Sequence, residues 1–507
     1  MAQLSAKGAA FRACCKMRPE MNGGGKTMSD HADYWKRQAL EQRDAYLETL
    51  RPFLAINSIE DMSTAGPGKP FGDGVARALD FMLALGRSDG FAVKNLDGYA
   101  GYVEYGESEE EVGVLVHVDV VTAGDGWTTP PFEPHIRDGK IYARGAIDDK
   151  GPALAAYFAL RLLKQSGLPL AKRVRLIIGT DEESGWLCMK HYAEQETLPE
   201  IGFSPDASFP MIHAEKGQIN PTLTLAAQPE TAAAAGWRLL SFVSGDQGNS
   251  VPDKAAASVA VPAGAEAETA VAAVTKRWDA FLHASRVTGR LERRAPGVLS
   301  FQLDGKPAHG MEPFNGVNAG TLLARFLHDT PFAGSDREFL RFLAEVLHED
   351  HYGERLNVAC RDDVSGALTV NAGILRYDGS TGGSVRLNIR YPATLQPEPY
   401  VERLKARVEE LGWTVSDLRT SKSHYVPADH PVIRTLSRVY EQHTGEPARL
   451  LASGGATYAK TLKAGVAFGP VFPGKESTAH LADEYAEIDD LLRAMAIYAQ
   501  AMYELAK

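Results

Sequence analysis

At 507 residues the chain is longer than one hydrophobic core usually sustains, so two domains are expected. Its composition, 44% hydrophobic and 23% charged, is that of an ordinary water-soluble globular protein, and no apolar run nears the roughly 18 residues of a membrane span. A net charge of −11 argues against nucleic acid and anionic membranes as partners, since both call for basic patches.

Residues 1–27 carry five basic side chains against Glu20 alone and close on Gly23-Gly24-Gly25. They contain no apolar stretch long enough for a secretory signal, and read as a disordered extension with Met28 as an alternative start. The four cysteines, Cys14, Cys15, Cys188 and Cys360, show neither zinc-finger nor redox spacing, which fits a reducing, cytoplasmic setting.

Trp35, Leu40, Leu47, Leu50 and Leu54 recur at helical spacing and predict one amphipathic helix over 33–55, with another at 73–86. Strands are expected at Phe91–Lys94, Tyr99–Tyr105 and Val112–Val120, with turns at Asp97-Gly98 and Asp138-Gly139. An Ala- and Leu-rich helix at 152–166 then leads to the β-branched run Val174–Gly179. This alternation indicates an α/β sheet domain. From about 217 to 420 the texture changes. Strands at Pro221–Leu225, Val298–Leu303, Leu368–Ile374 and Ser384–Tyr391 are interspersed with helices near 266–285, 317–328, 336–348 and 397–411. The earlier pattern resumes with a helix from Pro431, a strand at Val466–Phe468 and a last helix from Ile488. The predicted organisation is a catalytic domain in two parts, 28–216 and 421–507, interrupted by a domain at 217–420.

His117 and Asp119 stand two apart at the end of a predicted strand, where period-two geometry would put both on one face. A His–Asp pair satisfying itself at a strand end is an equal reading of these two residues alone. Asp148-Asp149 precedes a helix, and an N-cap accounts for Asp149 but not for two adjacent acids. Asp181-Glu182-Glu183 follows a buried strand; three consecutive acids repel one another and call for cations nearby. Asp206 and His480 are unremarkable one by one.

Taken in order, five stretches resemble the co-catalytic two-zinc exopeptidases that include carboxypeptidase G, aminoacylase, succinyl-diaminopimelate desuccinylase and carnosinase. They are LVHVDV (115–120), IYARGAIDDKGP (141–152), TDEESG (180–185), GFSPDASFP (202–210) and FPGKESTAH (472–480). The likeness is nearest to the bacterial dipeptidase V subgroup. It implies an α/β fold in which a mixed-sheet, dinuclear-zinc catalytic domain is interrupted by a large α+β lid. It also implies two divalent ions, zinc first with manganese or cobalt as alternatives. His117 and Asp206 would hold one ion and Glu183 and His480 the other, with Asp148 bridging, a shared water in the open position and a cis peptide after Asp148. Asp119 would orient His117, and Glu182 would be the general base.

On the substrate side, the resemblance singles out Asn249, His309 as oxyanion donor and Arg390 as a carboxylate contact. It adds the turn containing Gly455 and Thr457, whose N–H groups would hold a substrate carboxylate. The subgroup often has glycine where Ala456 stands and arginine where Lys460 stands. Read without the family, Asn249, His309 and Arg390 would be a turn, a surface group and a local ion pair. A lid of about 200 residues would supply the oxyanion histidine from the same chain, so a monomer acting on small peptides is expected. The alternative activity is deacylation of N-acyl amino acids or succinyl-diaminopimelate.

Overall fold

Nine strands form a mixed sheet around Glu111–His117, which lies between Arg173–Gly179 and Ile201–Ser204 and runs parallel to both. The computed structural model describes residues 28–227, 236–264, 267–295 and 297–507, so the expected extension at 1–27, with Cys14 and Cys15, lies outside the described residues. Outward from the central three, the sheet adds Ala100–Tyr105 and Ala92–Leu96 on one side. Ala464–Ala467, Met211–Glu215, Leu450–Ser453 and His424–Tyr425 lie on the other. Alternation along the central strand explains its two covers. Val112, Val114 and Val116 enter the main core beneath the helices Lys150–Ser166 and Ile488–Ala506. Leu115 faces a smaller cluster with Ile177, Cys188 and Tyr458. Apolar residues on both faces are what a buried parallel strand requires.

A second sheet of eight antiparallel strands takes its residues from Gly217 to Ser421. Gly217–Ala226 alternates buried and half-buried positions, the mark of a sheet covered on one face. Trp278, Leu323, Phe339 and Trp413 build its own core. Only Lys216 separates the last strand residue of one sheet, Glu215, from the first of the other, Gly217. Gly217 has no substitute here, because a Cβ would lie 2.0 Å from the Tyr391 ring. The Tyr391 hydroxyl also donates to Ser421 O and accepts from Ser423 N–H, both at 3.0 Å, at the return crossing.

The expected helix at 33–55 is two helices, Met28–Glu41 and Arg43–Leu54, interrupted at Gln42, whose side chain accepts from Arg161 at 2.6 Å. The expected strand Val112–Val120 ends at His117. Four further strands, Arg238–Ser244, Lys254–Ala260, Thr288–Ala295 and Thr414–Ser421, were not predicted. The last two are the sheet's edges, and their charged faces give no alternating apolar signal.

Candidate metal centre and substrate cleft

Three parallel neighbours, Arg173–Gly179, Glu111–His117 and Ile201–Ser204, open at one edge of the first sheet. His117 ends the middle strand, Asp181-Glu182-Glu183 come just after one neighbour, and Asp206 just after the other. Strand order and direction therefore deliver four candidate groups to the carboxyl edge, where α/β sheets place their sites. Asp148 arrives by another route. The hairpin His135–Arg137 and Lys140–Tyr142 belongs to a separate three-stranded sheet with Tyr485–Glu487. A strand does run out before Asp148, at Tyr142, but it belongs to this smaller sheet and not to the one that carries His117.

The Asp148 carboxylate lies between two imidazoles, with Oδ1 3.1 Å from His117 Nε2 and Oδ2 3.0 Å from His480 Nε2. Asp206 Oδ2 stands 3.7 Å from His117 Nε2, and Glu183 Oε1 3.0 Å from His480 Nε2. The donors thus divide into His117 with Asp206 and His480 with Glu183, with Asp148 common to both. The halves differ in access: the His117 side chain is 1% exposed and that of His480 48%. Ligand atoms of His117, Asp148 and Glu183 all fall within 4.8 Å of one another, as do those of His117, Glu182 and Asp206. Nitrogen and carboxylate oxygen at this density are the donor chemistry of a divalent transition-metal site.

Asp119 is not on the strand with His117. After His117 one more bond joins the neighbouring strand, Val118 N–H to Gly179 O, and the chain then leaves it, with Val120 N–H bonding Ser58 O. Asp119 still faces the ring, with its carbonyl 3.1 Å and its Oδ1 3.4 Å from His117 Nδ1. Its Oδ2 accepts Glu183 N–H at 3.0 Å. Asp149 precedes the helix Lys150–Ser166 but does not cap it with its side chain; its Oδ2 accepts the backbone N–H of His117 at 3.1 Å. The Asp148–Asp149 peptide is cis, as expected.

Charge is crowded here. Burial pushes the carboxyls of Glu182, Asp206 and Asp149 above their usual range and Glu183 to about 7, with neighbouring carboxylates adding to it. Burial pulls the two imidazoles down, but the acids around them prevail: His117 is held well above the histidine range and His480 at about 11. Acids that resist ionising beside imidazoles that resist losing protons form a cluster short of positive charge. Two divalent ions would supply it.

The second sheet faces this centre. His309 accepts Met311 N–H on Nδ1 at 3.1 Å, which leaves Nε2 to carry the proton of a neutral ring. Loss of water around it, then the charges of Arg390 and His480, pushes its pKa down to about 4. Ser250 pairs with His309, and the carbonyl of exposed Asn249 accepts Gly310 N–H at 2.7 Å, so these two candidates share one loop pair. Arg390 is buried, donates to Asn388 Oδ1 at 2.9 Å and to Gly454 O at 3.0 Å, and has no ion pair among the described residues. Burial lowers its pKa to about 10.

The turn 454–457 differs from its expected use. Gly455 N–H donates to Ser453 Oγ at 2.9 Å. Thr457 N–H and Oγ1 are both taken by the buried carboxylate of Glu215, at 3.2 and 2.8 Å. Thr457 therefore shapes the turn from within, because a buried acid claims its donors first. Glu215 carries no motif and went unnoticed, as did Tyr458, whose ring lies edge-on to His117 at 6.2 Å and fills the space a Cβ on Gly179 would need.

The family model "Peptidase family M20/M25/M40" matches residues 113–504. A Bacillus subtilis (strain 168) protein named "Putative dipeptidase YtjP" is 47% identical over 93% of this chain and 100% of its own length. A "Putative dipeptidase" of Staphylococcus epidermidis is 38% identical over 93% of this chain and 99% of its own. Among solved structures, human carnosine dipeptidase 1 aligns with a TM-score of 0.55 at 14% identity, covering 94% of this chain and 98% of that one. The di-peptidase Dug1p of Saccharomyces cerevisiae aligns with a TM-score of 0.55 at 13% identity, covering 94% and 99%. These two likenesses concern the fold: a mixed-sheet α/β architecture shared across nearly the whole chain.

Proposed function

The chain belongs to peptidase family M20/M25/M40, and from that premise we propose that it is a metal-dependent dipeptidase, hydrolysing the amide bond of unblocked dipeptides with two zinc ions. The observation that carries this reading is Asp148, a single carboxylate whose two oxygens face two different imidazoles. In this reading His117 and Asp206 hold one ion, Glu183 and His480 the other, and Asp148 both. When bound, the pair supplies an activated water and polarises the scissile carbonyl. Imidazole and carboxylate donors also suit manganese and cobalt, which makes metal choice part of the test.

The remaining roles fall to residues of the chain. Glu182, within 4.8 Å of His117 and Asp206 at the ligand-atom level, takes the proton released at attack and returns it to the leaving amine. Asp119 holds the His117 ring through Nδ1. His309, its Nδ1 already engaged, offers Nε2–H to the developing oxyanion. Arg390, a buried guanidinium without a carboxylate of its own, receives the substrate's C-terminal carboxylate beside Gly454, with Asn249 and Gly455 on the same cleft. Residues 28–216 and 421–507 act as the catalytic domain and 217–420 as the lid, a division supported by the separate cores and the short crossings. In this reading the oxyanion histidine, His309, comes from the same chain as the metal ligands, so a monomer is the expected working form. The free thiols of Cys188 and Cys360 accord with a cytoplasmic setting, and no helix among the described residues is long and apolar enough to cross a membrane.

Hydrolysis of a panel in zinc, manganese and cobalt tests the proposal, using an unblocked dipeptide, its N-acetyl form, its C-terminal amide and an N-succinyl amino acid. The expected order puts the unblocked dipeptide first. Faster turnover of the N-acyl compounds would make the chain a deacylase instead.

A further inference from the structure

Glu484 is fully buried, and all of its acceptor capacity serves one loop. Oε2 accepts Arg144 Nη1 at 2.6 Å and Gly145 N–H at 3.1 Å. Oε1 accepts Ile147 N–H at 2.9 Å and Asp148 N–H at 3.2 Å. Its own carbonyl accepts Ala143 N–H at 3.1 Å. Arg144, equally buried, extends the tie by donating to Thr122 O and Ala123 O at 3.3 and 3.2 Å. Glu484 thus holds residues 143–148 at five points, four of them through its carboxylate and three of those through backbone N–H groups, the last being that of Asp148 itself. Glu484 also lies four residues beyond His480. The two residues that face each other across 3.0 Å, Asp148 and His480, are therefore joined a second time, through Glu484.

A buried Arg–Glu pair can serve packing alone, and the chain has one for comparison. Half-buried Glu104 pairs with buried Arg175 at 2.8 Å, alongside Glu111 and Glu196, near the opposite end of the strand Arg173–Gly179, away from the metal centre. Glu104 accepts no backbone N–H of a ligand-bearing loop, whereas Glu484 accepts three in the Asp148 loop. We propose that Glu484 is a positioning residue for the metal pair, fixing the backbone that aims Asp148 at both histidines. The inference rests on the two-ion reading above. It predicts that Glu484 governs how tightly the ions are held, and not only whether the chain folds.

The test is competition between the full-length chain and a chromophoric zinc chelator, with thermal melts alongside, for wild type, Glu484→Gln, Glu484→Asp and Glu104→Gln. Removing a group that orients a ligand typically weakens metal affinity about 10–100-fold. Glu484→Gln is expected to show that loss for the weaker-held ion. Glu484→Asp keeps the charge opposite Arg144 but is too short to reach every donor, and should fall between Glu484→Gln and wild type. Glu104→Gln should lower the melting temperature and hold zinc as the wild type does. Wild-type zinc affinity in both Glu484 variants, or a loss matched by Glu104→Gln at equal loss of melting temperature, would overturn the proposal. A wild-type chain that takes up no zinc would bring down the two-ion reading and this inference together.

Discussion

The first sheet and the second contribute to one cleft by different means. Around the first, the candidate ligands are held by one another, with His117, Asp148, Asp206, Glu183 and His480 linked by contacts of 3.0–3.7 Å. On the second, His309 and Arg390 are held by backbone and amide groups, and one place where the two regions touch is Met311 against Gly454. A Cβ on Gly454 would lie 2.7 Å from the Met311 Cβ, so that meeting depends on glycine. The two regions divide the labour. Strand ends and a neighbouring loop gather a crowded charge cluster whose members touch one another, while in the proposed reading the antiparallel sheet's loops frame the substrate.

Substitutions on the two sides should therefore fail differently. Glu182→Gln should lower kcat by about 10²–10⁴ while both ions stay bound, because the amide cannot accept the proton yet the donor set is intact. A variant with most of its turnover would remove Glu182 from the role of base. His309→Ala, on the other sheet, should cost about 10²–10³ in kcat with metal content unchanged, the usual effect of losing one oxyanion donor. Lost zinc in His309→Ala would break the comparison, since it would make the second sheet part of the metal site. Gly454→Ala should have a milder effect, reducing kcat/KM as Met311 is pushed out, and Met311→Gly in the same chain should restore part of it. No rescue would mean that the contact does not seat the second sheet.

The smallest effect concerns stability, and here the two regions should behave alike. His348 in the second and His443 in the first are each pushed down to about 4, chiefly by burial. Unfolded, each takes a proton near 6.5, while the folded state refuses it until about 4. The unfolded chain thus binds more protons throughout that window, so stability is full above 6.5 and falls as pH drops toward 4. For well-buried His348 the slope is about 1.4 kcal/mol per pH unit inside the window. His348→Gln and His443→Gln should each flatten the decline of melting temperature between pH 6.5 and 4. An unchanged slope in either variant would show that its histidine titrates normally in the folded chain.

Much of the centre was legible because its signals are local. An apolar strand carrying His117 near its end and a β-branched strand ending before Asp181 each advertise a loop at the carboxyl edge, whereas Asp206 was singled out only by the resemblance, and the strand Ile201–Ser204 that places it was not predicted. Asp119 was misplaced by a few residues because nothing local shows that the chain leaves the sheet for Ser58. Glu215 and Glu484 were invisible for a different reason. Their partners, Thr457 and the Asp148 loop, are hundreds of residues away, and a buried acid looks like any other until its donors are known. In the second sheet the strands Thr288–Ala295 and Thr414–Ser421 were lost because edges carry polar residues on both faces. Lys254–Ala260, nearly all alanine and serine, has too little contrast to show a period of two.

The account stands most directly on Asp148 serving two ions at once. Metal-stripped full-length chain should be titrated with zinc while bound ion and hydrolysis of an unblocked dipeptide are followed together, for wild type, Asp148→Ala, His117→Ala and His480→Ala. The account predicts that wild type regains turnover as the second equivalent binds. It also predicts that the two histidine variants each keep one tight equivalent and that Asp148→Ala keeps neither. Asp148→Ala holding one zinc as tightly as the histidine variants, or wild-type turnover in stripped protein, would contradict it.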